Sequence, residues 1–268
     1  MRPPVALTVA GSDSGGGAGI AADLKTFAAH GVWGTCAVTA VTAQNTVGVD
    51  AAEVLPAELV TAQIAAVAGD IGVTAAKTGM LGNPAVVEAV AAAVEHWTLH
   101  PLVVDPVAVA TSGAVLISPD GLAALRRVLV PLADVVTPNL AEAALLAGWS
   151  EPPVDRRAME EVAQAVLGLG PKAVLVKGGH LEDPEAPDLL LRRAQDPVWL
   201  PGRRLDSSDT HGTGCVLSAA ITARLARGDG LVQAVEGAKA FVTGAIAAGV
   251  ELGSGPGAVN PSFGSSPP

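Results

Sequence analysis

The sequence predicts a three-layer αβα fold in which a mainly parallel central sheet is covered by helices on both faces. Short apolar runs alternate with longer helical patterns along all 268 residues, which is the order that βαβ units produce. The apolar runs are nearly continuous, as expected for strands that are buried on both faces. Half of the residues are apolar, so the chain can bury a large core, and we expect one domain because no linker-like stretch interrupts its middle.

The predicted strands of this sheet are short, and each ends at a polar residue or a glycine. They are Val5 to Ala10, Thr35 to Thr42, Thr74 to Lys77, Leu102 to Val104, Asp134 to Thr137 and Ala173 to Val176. Helix-like stretches lie between and after these strands. They are Ala18 to His30, Ala57 to Ala68, Pro84 to Trp97, Pro119 to Leu129, Ala141 to Ala147 and Arg156 to Leu167.

The pattern becomes less regular after the sixth strand. Two short apolar runs, Leu189 to Leu191 and Val198 to Leu200, predict antiparallel strands at the edge of the sheet. Two final helices are predicted, over Gly214 to Ala226 and Val232 to Ala248. We therefore expect a single domain over residues 1–252, followed by a loose Gly/Pro/Ser-rich tail over residues 253–268.

Composition and charge exclude several classes of partner. A formal net charge of -10 argues against nucleic acid and anionic membranes, because both require clustered Lys and Arg. Aromatic residues make up only 3% and Tyr is absent, so stacking platforms for bases are not expected. The cysteines, Cys36 and Cys215, lie far apart, which is typical of a reducing compartment. No signal peptide or membrane-spanning run is evident, and we expect a cytoplasmic protein.

A heptapeptide before the penultimate helix has the features of an anion hole. It reads Asp209-Thr210-His211-Gly212-Thr213-Gly214-Cys215 and leads directly into an apolar run. Its glycines let the backbone turn sharply and approach a ligand, and the following helix directs N–H groups and a positive dipole end toward it. Phosphate is the natural ligand, and a helix N-terminus also favours the thiolate of Cys215, which then acts as a base. Taken alone, these residues also fit a capped helix with a small buried cysteine.

The glycine-rich segment after the first strand fits a dinucleotide-binding pattern only in part. Gly17-Ala18-Gly19-Ile20-Ala21-Ala22 matches G-x-G-x-x-G/A between a strand and a helix. That fingerprint also needs an acidic residue about 20 positions further on to hold the ribose, and the stretch from Thr39 to Gln44 contains none. The pattern G-x-x-x-x-G-K-[ST] is also absent from the sequence. If phosphate is bound, the loop at Gly212 is therefore expected to bind it.

Polar residues follow several other predicted strands at the point where each strand ends. Ligands of open α/β sheets bind at the carboxyl ends of the strands, so these residues are expected to line one edge. Asp105 and Glu142 would bring two hard oxygen ligands there, suited to Mg²⁺ with a nucleotide's phosphates. Lys177 would place a point charge on phosphate. Asn139 and Glu142 also fit a helix capping box, and Lys177 also fits a solvated surface lysine.

Seven motifs, taken together, resemble one family of kinases. They are Gly11-Ser-Asp-Ser-Gly-Gly-Gly-Ala-Gly-Ile20, Gln44-Asn-Thr46, Lys77-Thr-Gly-Met80, Val104-Asp-Pro-Val107, Thr137-Pro-Asn-Leu-Ala-Glu142, Lys177-Gly-Gly-His180 and His211-Gly-Thr-Gly-Cys215. From about Val5 to Val250 the chain resembles the hydroxymethylpyrimidine/phosphomethylpyrimidine kinases of thiamine biosynthesis, in the ribokinase-like superfamily. The stretch Asp-Thr-x-Gly-x-Gly is that superfamily's phosphate loop, whose last position is usually an Asp base. This branch is similar in carrying a cysteine there, here Cys215.

The resemblance implies a reaction and the residues that perform it. ATP would phosphorylate 4-amino-5-hydroxymethyl-2-methylpyrimidine and then its monophosphate, giving the pyrophosphate ester. Gln44 would bind the pyrimidine edge, and the pocket around the ring would be formed by Gly11, Ala18, Asp23, Met80 and Val107. Mg²⁺ and phosphates would be held by Asp105, Asn139 and Glu142, and the nucleotide would lie near Lys177 and Asp209. The transferring phosphoryl group would meet Gly212, Thr213, Gly214 and Cys215, and the resemblance also implies a homodimer.

The chain departs from this family at some positions, and two other functions stay open. Ala108 and Thr111 replace a bulky apolar residue and a Lys, Ala21 stands where Gln is usual, and a terminal Gly-x-Gly-His-Gly-Pro appears as Gly253-Ser-Gly-Pro-Gly-Ala258. Pyridoxal and pyridoxine kinases share the fold and the phosphate loop, and the motifs that begin at Gln44 and Lys77 favour the pyrimidine over them. From another class, a non-catalytic nucleotide-binding module is the alternative.

Overall fold

A computed structural model describes residues 2–108, 116–179, 181, 183, 185, 187–202 and 211–264. These residues form ten strands and eight α-helices. The strands are β1 (Val5–Ala10), β2 (Trp33–Val38), β3 (Ala40–Gln44), β4 (Val49–Val54), β5 (Ala75–Thr78), β6 (Leu102–Val104), β7 (Val135–Val136), β8 (Ala173–Val176), β9 (Asp188–Arg192) and β10 (Val198–Leu200). The helices are α1 (Gly19–Ala29), α2 (Ala57–Ala66), α3 (Pro84–Trp97), α4 (Pro119–Ala124), α5 (Leu140–Ala147), α6 (Arg156–Leu167), α7 (Thr213–Ala226) and α8 (Leu231–Ala247).

The central sheet has eight strands in the order β10-β9-β8-β7-β6-β5-β1-β2. Six consecutive strands of this sheet pair in parallel, namely β8, β7, β6, β5, β1 and β2. Strands β9 and β10 are antiparallel and form one edge. The predicted sheet and its antiparallel edge strands are therefore confirmed.

Successive residues of each strand face different helical layers, which is why the strands read as continuous apolar runs. In β1 every residue is buried, and Leu7 and Val9 pack into the core that contains residues of α3. Ala6 faces the other way and packs with Phe27 of α1. Fully burying a Leu or Val side chain stabilises the fold by roughly 1.5–3 kcal/mol, so both faces of the sheet require their helical cover.

The order of the strands reverses at β1, which fixes where a ligand can enter. Strand β2 lies on one side of β1 and β5 lies on the other. The helix after β1, α1, packs on one face of the sheet with α7, and the helix after β5, α3, packs on the opposite face with α2. The connections that leave β1 and β5 therefore diverge, and the crevice in which ligands of open α/β sheets bind is expected between the carboxyl ends of these strands.

Helix ends follow from local sequence where a cap is present. Asn83 accepts a hydrogen bond from the Val86 amide at 3.0 Å, and Pro84 occupies the first helical position, where no amide donor is needed. Helix α3 consequently has the bounds that the sequence predicts. Helices α2 and α4 are shorter than predicted, because each continues as a π-helical turn, over Val67–Ile71 and Leu125–Leu129. Within the described ranges, no helix is long and apolar enough to cross a membrane.

The single strand predicted from Thr35 to Thr42 is wrong, because the chain leaves the sheet at Thr39. The Thr39 amide donates to the Ala10 carbonyl at 3.0 Å, and its hydroxyl donates to the Met80 carbonyl at 2.6 Å. Beyond this point β3 pairs with β4 in a separate antiparallel hairpin. The sequence pattern did not indicate β4, since all of its residues are exposed or half-buried. Gln44 therefore ends a strand of the hairpin and not a strand of the central sheet.

The C-terminal segment is packed against the domain, so the prediction of a loose tail is wrong for its described part. Ala258 and Val250 exchange backbone hydrogen bonds at 2.9 and 3.2 Å. Val259 is only 4% exposed and belongs to the core beside α7 and α8. Glycine and proline favour irregular backbone but do not prevent its burial, provided that its amides find partners. The domain boundary at residue 252 stays a prediction.

Candidate active site

Two carboxylates and a lysine meet at the carboxyl ends of the parallel strands. Asp105 follows β6, Lys177 follows β8, and Glu142 lies in the first turn of α5. The Lys177 Nζ lies 3.2 Å from Asp105 Oδ1 and 3.8 Å from Glu142 Oε2. Asp105 also accepts hydrogen bonds from the hydroxyls of Thr137 at 3.2 Å and Ser218 at 3.1 Å. These contacts hold the charged groups in place before any ligand arrives.

The charge of Lys177 is maintained by its neighbours. Burial alone would lower the pKa of Lys177, but the negative charges of Asp105 and Glu142 raise it above its ordinary value. Burial raises the pKa of Glu142, Lys177 opposes this rise and Asp105 adds to it. Only 16% of the Lys177 side chain is exposed, so its interpretation as a solvated surface lysine is wrong. A partly dehydrated ammonium of this kind is a strong electrostatic partner for phosphate.

Asn139 and Glu142 form a capping box that also directs Glu142 into the site. Asn139 Oδ1 accepts from the Glu142 amide at 2.8 Å, and Glu142 Oε2 accepts from the Asn139 amide at 2.9 Å. The same Glu142 oxygen faces Lys177. The two interpretations drawn from the sequence are therefore compatible, because the cap fixes the carboxylate at the edge of the sheet.

The N-terminus of α7 covers this cluster. Gly212 precedes the helix with a φ of +84°, a left-handed conformation that favours glycine, and a Cβ at this position would strike the carbonyl oxygen of Gly17. A Cβ on Gly214 would lie 3.3 Å from Lys177 Nζ and 3.9 Å from Asp105 Oδ2. The cap residue has no side chain to accept from the helix amides, as expected where an anion takes that place.

Cys215 lies in the first turn of α7 and remains a neutral thiol at neutral pH. Burial raises its pKa to about 11, and the nearby charges of Asp23 and Asp105 add to the rise. The ammonium of Lys77 and the amide of Gly19 lower the pKa but do not offset burial. The expectation that the helix N-terminus makes Cys215 a thiolate is therefore wrong for the ligand-free protein.

A buried ion pair lies on the Cys215 side of the sheet. Lys77 Nζ lies 2.9 Å from both carboxylate oxygens of Asp23, and Thr8 Oγ1 donates to Asp23 Oδ2 at 2.6 Å. Both charged side chains are 0% exposed. Burial alone would lower the pKa of Lys77, but the negative charges of Asp23 and Asp105 raise it above its ordinary value. Asp23, which the sequence placed in the substrate pocket, is thus engaged below the surface by Lys77.

The loop after β1 is organised by Asp13. Its carboxylate accepts hydrogen bonds from the amides of Gly15 at 2.8 Å, Gly17 at 3.1 Å and Ala18 at 2.8 Å. His211 Nε2 lies 2.9 Å from the same carboxylate. Burial would raise the pKa of Asp13, but these hydrogen bonds and the nearby His211 hold it below its ordinary value. Asp13 therefore remains a carboxylate that ties the loop to the residue preceding Gly212.

Three of the residues expected to contact the substrate ring, Gly11, Met80 and Val107, follow the carboxyl ends of β1, β5 and β6. A Cβ on Gly11 would collide with Met80 Cε, so glycine leaves room for the Met80 side chain. Gln44 is half-buried, and its amide donates to Ser14 Oγ at 2.8 Å. Val107 is half-buried in the turn after β6, where its amide donates to the Asp105 carbonyl at 2.9 Å.

The structure thus brings together most of the site residues that the sequence predicts. Asp209 and Thr111 lie outside the described residues. Sequence reasoning did not assign site roles to five polar residues, namely Asp13, Lys77, Thr137, His211 and Ser218. A signal existed for Lys77, because a lysine that continues an apolar strand must find a buried partner. Asp13, Thr137 and His211 lie within the motifs quoted from the sequence, but the contacts that place them and Ser218 in the site join distant parts of the chain.

Fold and site together define a ribokinase-like kinase, in which the start of α7 lies beside a lysine and paired carboxylates at the carboxyl edge of the sheet. The family model described as phosphomethylpyrimidine kinase matches residues 13–260. The chain belongs to the phosphomethylpyrimidine kinase family, and the resemblance seen in the sequence is confirmed.

Known relatives are similar to the chain over most of its length. A hydroxymethylpyrimidine/phosphomethylpyrimidine kinase of Rhizobium meliloti is 51% identical over 258 residues, covering 96% of each chain. The structure of Bacillus subtilis pyridoxal kinase in complex with ADP superposes with a TM-score of 0.90 at 36% identity, covering 98% of both chains. A phosphomethylpyrimidine kinase from Clostridium difficile superposes with a TM-score of 0.78 at 41% identity, covering 89% of this chain and 97% of that one.

Proposed function

We propose that the enzyme transfers the terminal phosphoryl group of ATP to 4-amino-5-hydroxymethyl-2-methylpyrimidine and then to its monophosphate, forming the pyrophosphate used in thiamine diphosphate synthesis. The observation that carries this proposal is the start of α7 lying over Lys177, Asp105 and Glu142, beside the crevice at Gly11 and Met80. The pyrimidine is supported by the 51% identical relative. A nucleotide is supported by the ADP complex of the related pyridoxal kinase.

The chain supplies positioning and charge neutralisation for this transfer. Phosphoryl transfer passes through a loose transition state whose charge is spread over the equatorial oxygens. The amides at the start of α7 and the ammonium of Lys177 neutralise that charge without a large basic patch. Cys215, one residue beyond Gly214, contacts the primary alcohol as the base or as the group that orients it. Gly11, Ala18, Gln44, Met80 and Val107 hold the ring.

Asp105 and Glu142 provide the donor set for Mg²⁺. Among the described residues, no three His, Cys, Asp or Glu side chains cluster in a way that could hold a metal ion. Mg²⁺ does not need such a cluster, since it uses one or two carboxylates with waters and substrate phosphates. Two buried carboxylates that share one ammonium fit this requirement. When bound, Mg²⁺ would neutralise phosphate charge, and Asn139 would keep Glu142 oriented toward it.

Replacing Asp105 by Asn should raise the Mg²⁺ concentration needed for half-maximal activity by about 10- to 100-fold, the range seen when a metal site loses a supporting group. The change removes one carboxylate while keeping the side chain's size. Activity titrated with Mg²⁺ at fixed ATP measures the shift, and calorimetry of Mg²⁺ with ADP measures binding without turnover. Asp120→Asn, on an exposed turn of α4, is the control. An unchanged Mg²⁺ requirement would contradict the role of Asp105.

Substrate preference distinguishes a hydroxymethylpyrimidine kinase from a pyridoxal kinase. The high similarity to a pyridoxal kinase structure keeps pyridoxal as the second candidate. We expect kcat/KM for hydroxymethylpyrimidine to exceed that for pyridoxal by about tenfold or more, because a site that hydrogen-bonds one ring discriminates against another. Coupled assays of ADP release with each alcohol and with the pyrimidine monophosphate measure this. A preference for pyridoxal would overturn the proposed substrate, and no transfer to any alcohol would favour a non-catalytic nucleotide-binding module.

The assembly and location of the enzyme are proposals that rest on the resemblance. We propose a homodimer in the cytoplasm, acting on a small pyrimidine alcohol and ATP without nucleic acid or membrane partners. Sedimentation of the purified protein would test the dimer.

A further inference from the structure

The C-terminal segment, residues 250–260, is attached to two loops of the active site. The His211 amide donates to the Gly257 carbonyl at 3.3 Å, and the Val259 amide donates to the His211 carbonyl at 3.2 Å. Further along the same segment, the Gly255 amide donates to Thr46 Oγ1 at 3.2 Å. A Cβ on Gly255 would strike the carbonyl of Thr46. The segment therefore spans from the turn between β3 and β4 to the residue that precedes Gly212.

The loop after β1 joins the same two places on the other side of the crevice. His211 Nε2 lies 2.9 Å from Asp13 Oδ2. The next residue, Ser14, accepts from the Gln44 amide at 2.8 Å and donates to the Gln44 carbonyl at 2.6 Å through its hydroxyl. Gln44 and Thr46 belong to the same hairpin. The contacts thus close into a ring that runs through the loop after β1, the hairpin, the C-terminal segment and His211.

We propose that this hydrogen-bonded ring sets the distance between the pyrimidine-binding hairpin and the phosphate loop, which makes Thr46, Gly255, Asp13 and His211 positioning residues. The proposal rests on the proposed function. A loop held only at its two ends samples many positions, and each additional contact reduces that freedom. Phosphoryl transfer is sensitive to such freedom, because a misplacement of about 1 Å can cost on the order of 10²-fold in rate.

Replacing Thr46 by Val removes the acceptor for Gly255 and keeps the shape of the side chain. We expect kcat/KM for the pyrimidine to fall about three- to tenfold, through a lower kcat and a higher KM, as for the loss of one hydrogen bond. The KM for ATP should stay within about twofold, because the nucleotide residues Asn139 and Lys177 lie outside the ring. Thr46→Ser, which keeps the hydroxyl, should restore the parent value. Parent-like kinetics for Thr46→Val, or an equal rise in both KM values, would overturn the proposal.

Gly255→Ala tests the ring by a different route, since its Cβ pushes the segment away from Thr46. Gly264→Ala is the matched control, because a Cβ there meets no atom within 4 Å. Hydrogen exchange followed by mass spectrometry should show faster exchange over residues 250–260 in Gly255→Ala and Thr46→Val, and not in the control. Unchanged exchange rates over residues 250–260 would show that the ring does not hold this segment. Faster exchange together with parent-like kinetics would show that the ring has no positioning role.

The exchange measurement needs no substrate, so its outcome is independent of the proposed function. If the parent enzyme phosphorylates pyridoxal and not the pyrimidine, the proposed function fails. The same KM comparison is then made with pyridoxal, and it supports or overturns the ring by the same criteria.

Discussion

Replacing Cys215 by Ala should lower kcat/KM for hydroxymethylpyrimidine by about 10²- to 10⁴-fold, the range that a general base contributes. The residue lies in the first turn of α7, next to the Gly214 position that approaches Lys177 and Asp105. Its removal would leave the phosphate loop intact and take away the group that faces the alcohol. Steady-state kinetics with both substrates measure the effect. Cys36→Ala on the edge strand β2 is the control, and activity of Cys215→Ala within a few-fold of the parent would contradict the base role.

The pH profile distinguishes a base from a group that only orients the alcohol. Burial raises the pKa of Cys215 to about 11, so the thiol form dominates at neutral pH. Below the pKa the thiolate fraction grows about tenfold with each pH unit. If the thiolate accepts the proton, kcat/KM of the parent should rise between about pH 7 and pH 9, and that of Cys215→Ala should not. A flat profile for the parent would assign the cysteine the orienting role.

Replacing Gly212 by Ala should reduce kcat/KM by about 10²-fold or more, because the phosphate loop cannot keep its backbone position. The residue has a φ of +84°, and the added Cβ would strike the Gly17 carbonyl oxygen. The helix start must then move away from the loop after β1, and a displacement of about 1 Å is enough for a loss of this size. Kinetics and thermal unfolding should be measured together, because the left-handed conformation alone costs roughly 1–2 kcal/mol in a non-glycine residue.

Gly228→Ala provides the matched control for this substitution. Gly228 has a φ of +94° beyond the C-terminus of α7, and a Cβ there meets no atom within 4 Å. The control therefore carries the conformational strain without the collision. We expect it to lose stability and keep near-parent kcat/KM. If both variants lose stability equally and both keep their activity, the close approach of Gly212 to Gly17 has no catalytic role.

The sequence predicts most accurately the strands that are buried on both faces of the central sheet. Strands β1, β6 and β8 have the predicted bounds, because strands covered on both faces appear as uninterrupted apolar runs. Strand β4 was missed since it includes Asp50 and Glu53 and lies on the surface. No alternation of apolar and polar residues distinguishes it from a loop, and its pairing with β3 is a tertiary property.

The candidate site likewise contains residues that the sequence predicts and contacts that it does not. Asp105, Glu142 and Lys177 were predictable because the carboxyl ends of parallel strands meet at one edge. The partnership of Asp13 with His211 joins residues separated by 198 positions, and nothing local specifies it. The state of Cys215 was predicted wrongly for a related reason. A helix N-terminus is visible in the sequence and lowers a thiol pKa, whereas the burial that raises it depends on the whole fold.

The sharing of one lysine by two acidic side chains has a thermodynamic consequence for ligand binding. Incoming phosphates compete with Asp105 and Glu142 for the ammonium of Lys177. If Lys177 binds the phosphates of a nucleotide, Asp105 and Glu142 lose their counter-ion. Mg²⁺ would then neutralise the two carboxylates. Nucleotide and Mg²⁺ should therefore strengthen each other's binding by the same factor, since such linkage is reciprocal. Under the proposed function, Lys177 would partly neutralise the two carboxylates until nucleotide and Mg²⁺ bind together.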